Sequence, residues 1–158
     1  MDYPSDMNVS RLLHSNLGEL ESLFIAEPHA AVPTGCYRGT YLARLQTPGA
    51  RARWNRFVEY VGFEAMPFGV DFRSCSWFFF FQQLQLGHFR PEVCPSRWRT
   101  TEVVALHYGT SKLPAPIRGV LYDEVKPLTP TVCLGLGGMN AERGQGDHFF
   151  FALKRVAE

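Results

Sequence analysis

Histidine side chains on predicted strands are the first groups in this chain that could do chemistry. His88, His107 and His148 fall in β-rich segments, whereas His14 and His29 lie on a predicted helix and in a loop. Strands far apart in sequence can converge in a barrel, and imidazole is a common metal ligand. We nevertheless predict separate, hydrogen-bonded histidines and no metal site, because no Cys/His group has the spacing of a zinc finger.

Two adjacent carboxylates, Asp123 and Glu124, form the second candidate. Neighbouring residues on a strand point to opposite faces of the sheet, so these two cannot share one site. A carboxylate that points inward needs a partner, and Arg38, Arg90 and Arg118 are the candidates. Two interpretations stay open: a structural ion pair or solvated edge, and a polar anchor inside an apolar cavity.

Aromatic side chains make up 14% of the chain, and 13 of its residues are Phe. Core packing is the commoner role of any single ring. So many rings beside polar groups on strands nevertheless favour a ligand pocket over a fully packed interior. The predicted ligand-binding residues are Arg38, Trp54, Tyr60, Trp77, Phe79, His88, Arg90, Tyr108, Arg118, Tyr122, Asp123 and His148.

Known catalytic and cofactor motifs are missing from the sequence. It contains no GxSxG, P-loop, HExxH or dinucleotide fingerprint, and the glycine-rich stretch 135–138 lacks the following lysine of a phosphate-binding loop. We therefore predict no cofactor. A net charge of +1 gives no electrostatic footprint for nucleic acid.

Targeting and membrane signals are also missing. The first ten residues lack the basic and apolar regions of a signal peptide, and the longest apolar run, 77–81, is too short to span a bilayer. We expect a cytoplasmic protein that binds no membrane. In that compartment the four cysteines are expected to be buried free thiols: Cys36, Cys75, Cys94 and Cys133.

The elements that must position these groups are one helix and a series of short strands. Apolar residues at helical spacing predict an amphipathic helix over 8–26, with Asn8 as N-cap and Pro28 just beyond its end. Turn signals then recur every 8–12 residues and delimit seven or eight strands, which is typical of a sandwich or barrel. The strands are predicted at 35–45, 63–73, 75–84, 97–108, 117–126, 131–138 and 147–155, with 86–90 extending or pairing the third.

The predicted organisation is a single domain over 1–158, mainly β, with an antiparallel barrel over 35–156 behind the leading helix. Residues 46–62 fit either a helix or a strand, and this choice decides whether the barrel closes. Barrels of about eight strands can hold one small ligand.

The run PTGCYRGTYLARL after a leading helix resembles the glycine-containing first strand of lipocalin-like (calycin) barrels. The tail IRGVLYDEVKPLTPTVCLGLGGMNAERGQGDHFFFALKR is similar to the closing hairpins of uncharacterised bacterial lipocalin-like proteins. A lipocalin has Trp in its Gly-x-Trp motif, where this chain carries Tyr37 or Tyr41. The resemblance implies a barrel fold and a general capacity to bind apolar small molecules.

Three functional hypotheses follow. The first is a barrel that binds a small hydrophobic or aromatic ligand, with an arginine meeting a carboxylate or carbonyl on it. The second is an enzyme in the same cavity, in which Tyr, His and Asp side chains do the acid–base chemistry of an isomerase or lyase. The third is an interaction protein that forms a homodimer through its Phe-rich strand.

Overall fold

The computed structural model describes residues 7–45, 60–139 and 148–157. Two helices come first, α1 (Val9–His14) and α2 (Leu17–Ala26). Of the segment left open, 46–62, most lies outside the described residues, and Tyr60–Glu64 forms a π-helical turn. A third, four-residue helix is α3 (Ala115–Arg118). The nine strands are β1 (Cys36–Leu45), β2 (Phe68–Asp71), β3 (Ser76–Phe79), β4 (Gln85–His88), β5 (Arg90–Pro95), β6 (Glu102–His107), β7 (Leu121–Thr129), β8 (Val132–Met139) and β9 (His148–Arg155).

The nine strands of the described residues form one antiparallel sheet in the order β4-β3-β2-β1-β9-β8-β7-β6-β5. The pairing of β1 with β9 joins the first and last strands of the meander, so the sheet curls into a nearly closed barrel. Its two end strands, β4 and β5, are consecutive and separated only by Phe89. Strand β5 contains Pro91 and Pro95, residues that sheets tolerate at their edges. The predicted mainly β antiparallel barrel is confirmed.

The predicted single helix over 8–26 is two helices. Ser15 has an extended backbone, and Asn16 starts α2 with a capping box. The Asn16 side chain accepts a hydrogen bond from the Glu19 backbone N–H at 3.0 Å, and the Glu19 carboxylate accepts one from the Asn16 backbone N–H at 2.8 Å. Because this local capping satisfies the backbone at a new helix start, the chain stops and restarts there.

Side chains alternate between two apolar clusters along β9. Phe149, Phe151 and Leu153 belong to a cluster inside the barrel, and Phe150 and Ala152 to one outside it. The outer cluster includes buried residues of both leading helices, Leu12, Leu20 and Phe24. The run of three Phe is therefore buried on both faces, because the helices cover the outside of the sheet.

Four predicted strands differ in extent from those observed. The strand predicted over 63–73 is limited to Phe68–Asp71, and the one over 75–84 to Ser76–Phe79. The strand predicted over 117–126 begins at Leu121, after α3, and the one over 97–108 begins only at Glu102. Residues 96–101 form a loop held to the outer face of the barrel. Within it, the Ser96 hydroxyl accepts from the backbone N–H groups of Trp98 and Arg99 at 3.1 and 3.0 Å. These bonds use backbone donors that a sheet would otherwise pair.

Candidate functional site

A buried chain of hydrogen bonds crosses the barrel interior. The Trp77 indole N–H donates to the Tyr108 hydroxyl, which donates to the Asp123 carboxylate. Trp77 lies on β3 and Asp123 on β7, so the chain links strands on either side of the β4–β5 boundary. Gly137 faces the carboxylate from β8, where a Cβ atom would lie 1.7 Å from Asp123 Oδ1. The glycine therefore makes the space that the carboxyl group occupies.

Burial determines the pKa values of the two titratable groups in this series of hydrogen bonds, Asp123 and Tyr108. Asp123 is 3% exposed, and desolvation raises its pKa from 3.8 to about 7, although the Tyr108 hydrogen bond opposes the rise. The negative charge of Glu124 adds a smaller increase. Desolvation, followed by the charge of Asp123, raises the pKa of Tyr108 well above its usual value. A neutral Asp123 is therefore readily formed near neutral pH.

The neighbouring carboxylate points outward, as expected for adjacent strand residues. Glu124 accepts hydrogen bonds from the Ser96 hydroxyl at 2.6 Å, the Arg97 backbone N–H at 2.8 Å and the Tyr122 hydroxyl at 3.2 Å. Burial raises the pKa of Glu124, and these hydrogen bonds limit the rise. Glu124 thus holds the loop 96–101 against the barrel.

The arginine partners predicted for an inward carboxylate are placed elsewhere. Arg38 lies over the Phe78 ring at 5.0 Å and donates to the Phe80 carbonyl at 3.1 Å. Arg90 forms an ion pair with Glu92, and Arg118 donates to the Ser111 carbonyl. An ion pair with an arginine was part of one of the two interpretations left open, and Asp123 does not form it with Arg38, Arg90 or Arg118. A hydroxyl, whose burial costs less than that of a cation, takes the place of an arginine.

An open cleft of about 350 Å³ lies at one end of the barrel. The start of β5, the end of β6 and the start of β7 meet there, with α3 beside them. Four of the predicted site residues line it together: Arg90, Tyr108, Arg118 and Tyr122. The remaining lining residues are His107, Gly109, Ala115, Gly119 and Leu121.

The cleft combines aromatic rings with positive charge. The Arg90 guanidinium contacts Glu92 Oε2 at 2.9 Å, and His107 Nε2 lies 3.5 Å from the same oxygen. Arg118 Nη1 donates to the Ser111 carbonyl at 3.0 Å. Because this acceptor is neutral, the bond does not compensate the charge of Arg118. A cleft of this composition favours a ligand with an anionic group and an apolar body.

The structure places the other predicted site residues away from this cleft. Trp77 and Phe79 pack with the interior cluster, and Asp123 lies behind Tyr108. Four others are dispersed. His88 is on β4, and Tyr60 is exposed on the π-helical turn. Arg38 lies over Phe78, and the centroid of the His148 ring is 4.6 Å from that of the Trp98 ring. Trp54 lies outside the described residues.

The predicted ligand-binding residues did not include His107, which was considered only among the strand histidines, and did not include Glu92. In the β5–β6 hairpin Arg90 pairs with His107 and Glu92 with Ala105, so Arg90, Glu92 and His107 share one face. Recognising residues 90–107 as a hairpin with a loop at 96–101 would have placed His107 and Glu92 beside Arg90. No strand was predicted over 91–95, and 97–108 was taken as one continuous strand, so the sequence did not reveal this hairpin.

Among the residues that the structure describes, no group of three or more His, Cys, Asp or Glu side chains is arranged to hold a metal ion. Their helices include none with the length and apolarity needed to cross a membrane.

No protein-family model and no curated protein sequence matches this chain. A crystal structure of a protein from Thermomonospora curvata is similar to it, with a TM-score of 0.52 and 16% sequence identity. The similarity covers 94% of this chain and 93% of that one. At this identity the likeness shows the fold alone, a nearly closed antiparallel barrel compatible with ligand binding in a cavity.

Proposed function

We propose that this protein is a lipocalin-like binding module for a small aromatic or hydrophobic ligand that carries an anionic group. The single observation that carries the proposal is the cleft, where Arg90, Arg118 and His107 lie beside the rings of Tyr108 and Tyr122. Its volume is at the lower end of the range for ligand sites, which favours a ligand of one to three rings. The anionic group would meet Arg118, and the rings would lie along the aromatic wall.

The experiment compares two fluorescent probes that differ in one group. 1-Anilinonaphthalene-8-sulfonate carries a sulfonate, and N-phenyl-1-naphthylamine has the same rings without it. We expect the sulfonate probe to bind saturably and Arg118→Gln to weaken its binding about tenfold or more, the usual worth of a charge-assisted contact. Binding of the uncharged probe should change little in the same variant.

Arg11→Gln is the matched control, because Arg11 is exposed on α1, away from the cleft. It should leave the affinity for both probes unchanged. Equal affinity of the wild-type protein for the two probes, or equal losses in the Arg11 and Arg118 variants, would refute an anion-binding cleft. If the sulfonate probe binds as expected, native mass spectrometry of protein purified from its source identifies the natural ligand.

A second candidate function is self-association, favoured by an exposed apolar surface at the β3–β4 hairpin. Its members are Phe80, Phe81, Leu84 and Leu86, which are 50%, 57%, 39% and 46% exposed. The segment 74–87 contains no charged residue, so its surface suits an equally uncharged partner, such as a second copy of itself.

For self-association we expect sedimentation equilibrium to show a concentration-dependent dimer that Phe81→Ser weakens. Tyr60→Ser, which removes an equally exposed ring at 54%, is the control and should leave the association constant unchanged. A wild-type protein that stays monomeric up to high micromolar concentration rules out this candidate.

We also propose a cytoplasmic location. The four cysteines are free in the structure, as in proteins of reducing compartments.

A further inference from the structure

The cleft contains an imidazole–carboxylate pair that ligand binding alone does not use. His107 Nε2 lies 3.5 Å from Glu92 Oε2, and Arg90 Nη2 contacts that oxygen at 2.9 Å. The His107 side chain is 27% exposed and lines the cleft, and its ring lies 6.0 Å from that of Tyr122. The Glu92 carboxylate therefore lies close to a histidine that a bound ligand can reach.

The side chains around this pair narrow the chemistry. The described residues that line the cleft include no serine, threonine, cysteine or lysine, so they offer no aliphatic hydroxyl, thiol or amine for a covalent intermediate. They do offer a histidine beside a carboxylate, an arrangement that suits general acid–base catalysis. They also offer guanidinium groups that can stabilise an oxyanion.

We propose that His107 transfers a proton between carbon and oxygen of a small aromatic 2-keto acid, interconverting its keto and enol forms. This inference rests on the proposed function, because the same cleft must first bind the acid. The keto acid class follows from two requirements: a carboxylate to meet the arginines, and a C–H bond made acidic by a neighbouring carbonyl so that imidazole can break it.

The proton transfer balances without a further reactant. His107 takes the proton from C3, the C3–H electron pair forms a C2=C3 double bond, and the carbonyl π electrons move to oxygen. The resulting enolate oxygen is stabilised by an arginine of the cleft. The imidazolium then returns the proton to that oxygen, giving the enol and neutral His107. Glu92, whose Oε2 lies 3.5 Å from His107 Nε2, is a positioning residue for the ring.

Phenylpyruvate is the probe for the test. In deuterated buffer, exchange of its C3 protons is followed by proton NMR, and its binding is followed by displacement of 1-anilinonaphthalene-8-sulfonate. We expect wild-type protein to accelerate exchange and His107→Gln to lower the rate about 100-fold or to the buffer rate, while phenylpyruvate still displaces the probe. Glu92→Gln should lower kcat more than it changes KM.

His14→Gln is the matched control. His14 is exposed on α1, where its Nδ1 lies 2.7 Å from the Ser10 carbonyl oxygen, away from the cleft. Exchange with this variant should be as fast as with the wild-type protein. If phenylpyruvate displaces the probe but exchange is as slow as with His107→Gln, the activity is refuted and the binding function stands. If the sulfonate probe itself fails to bind, the binding function falls and the activity falls with it.

Discussion

Asp123→Asn is expected to stabilise the protein at pH 8 by about 2 kcal/mol and to leave its stability near pH 5 almost unchanged. The reason is the burial of Asp123, which raises the pKa of its carboxyl group from 3.8 in a solvated chain to about 7 in the fold. Below pH 4 the carboxyl is protonated in both states. Between pH 4 and 7 the unfolded chain releases the proton and the native protein retains it, so the free energy of unfolding falls as the pH rises.

The size of the effect follows from the two pKa values. A difference of about 3 in pKa corresponds to roughly 4 kcal/mol of stability lost by pH 8. Asparagine cannot ionise, and its carbonyl can still accept the Tyr108 hydrogen bond. Its buried amide N–H groups carry a cost of about 1–3 kcal/mol, which reduces the net gain. Urea unfolding at pH 5, 6, 7 and 8 measures the difference.

Asp71→Asn is the control, because the same substitution there should destabilise the protein at neutral pH, whereas Asp123→Asn should stabilise it. Burial alone would raise the pKa of Asp71, but hydrogen bonds from Arg73 and Gln82 outweigh it and hold the pKa below its usual value. Asp71 therefore stabilises the fold at neutral pH, and this contribution is lost as the pH falls through its folded pKa. Identical pH slopes for wild type and Asp123→Asn would contradict a raised pKa at Asp123.

Local patterns in the sequence predicted the barrel, because short strands leave repeated turn signals. The same patterns predicted the apolar helical stripe, but not which of its members are buried. Leu12 is 1% exposed and Leu13 is 52% exposed, although both belong to the predicted stripe. The break at Asn16 divides the stripe between two helices. A capping box operates over only four residues, whereas the helix was predicted over nineteen, 8–26.

The site was harder to predict because its geometry depends on distant contacts. The loop 96–101 is held by Glu124, a residue 27 positions away from Arg97 in the chain. This loop fixes which residues of β5 and β6 face each other, and so brings His107 beside Arg90 and Glu92. Strand alternation predicted that Asp123 and Glu124 point to opposite faces, but not which of them points inward. The partner of Asp123, Tyr108, follows from packing across the barrel, which no local pattern encodes.

Gly135→Ala and Phe151→Ala should each destabilise the protein strongly, and less than additively together. A Cβ at residue 135 would lie 2.1 Å from the Phe151 ring, which is fully buried. Overpacking of this kind costs about 1–3 kcal/mol, and loss of a buried Phe costs about 3–5 kcal/mol. In the double variant the new methyl group enters space that the ring has left. The free energies of unfolding of the four proteins, measured in urea, give the coupling.

We expect the double variant to be more stable than the sum of the single effects by about 1–3 kcal/mol. Gly109→Ala is the matched control, because a Cβ there meets no atom within 4 Å and should change stability by less than about 0.5 kcal/mol. Additive effects, or a Gly135→Ala variant as stable as Gly109→Ala, would show that the Phe151 ring fits equally well when residue 135 has a side chain. Sub-additivity would instead show that glycine at 135 is needed for the ring that fills the barrel, since its backbone conformation does not itself require glycine.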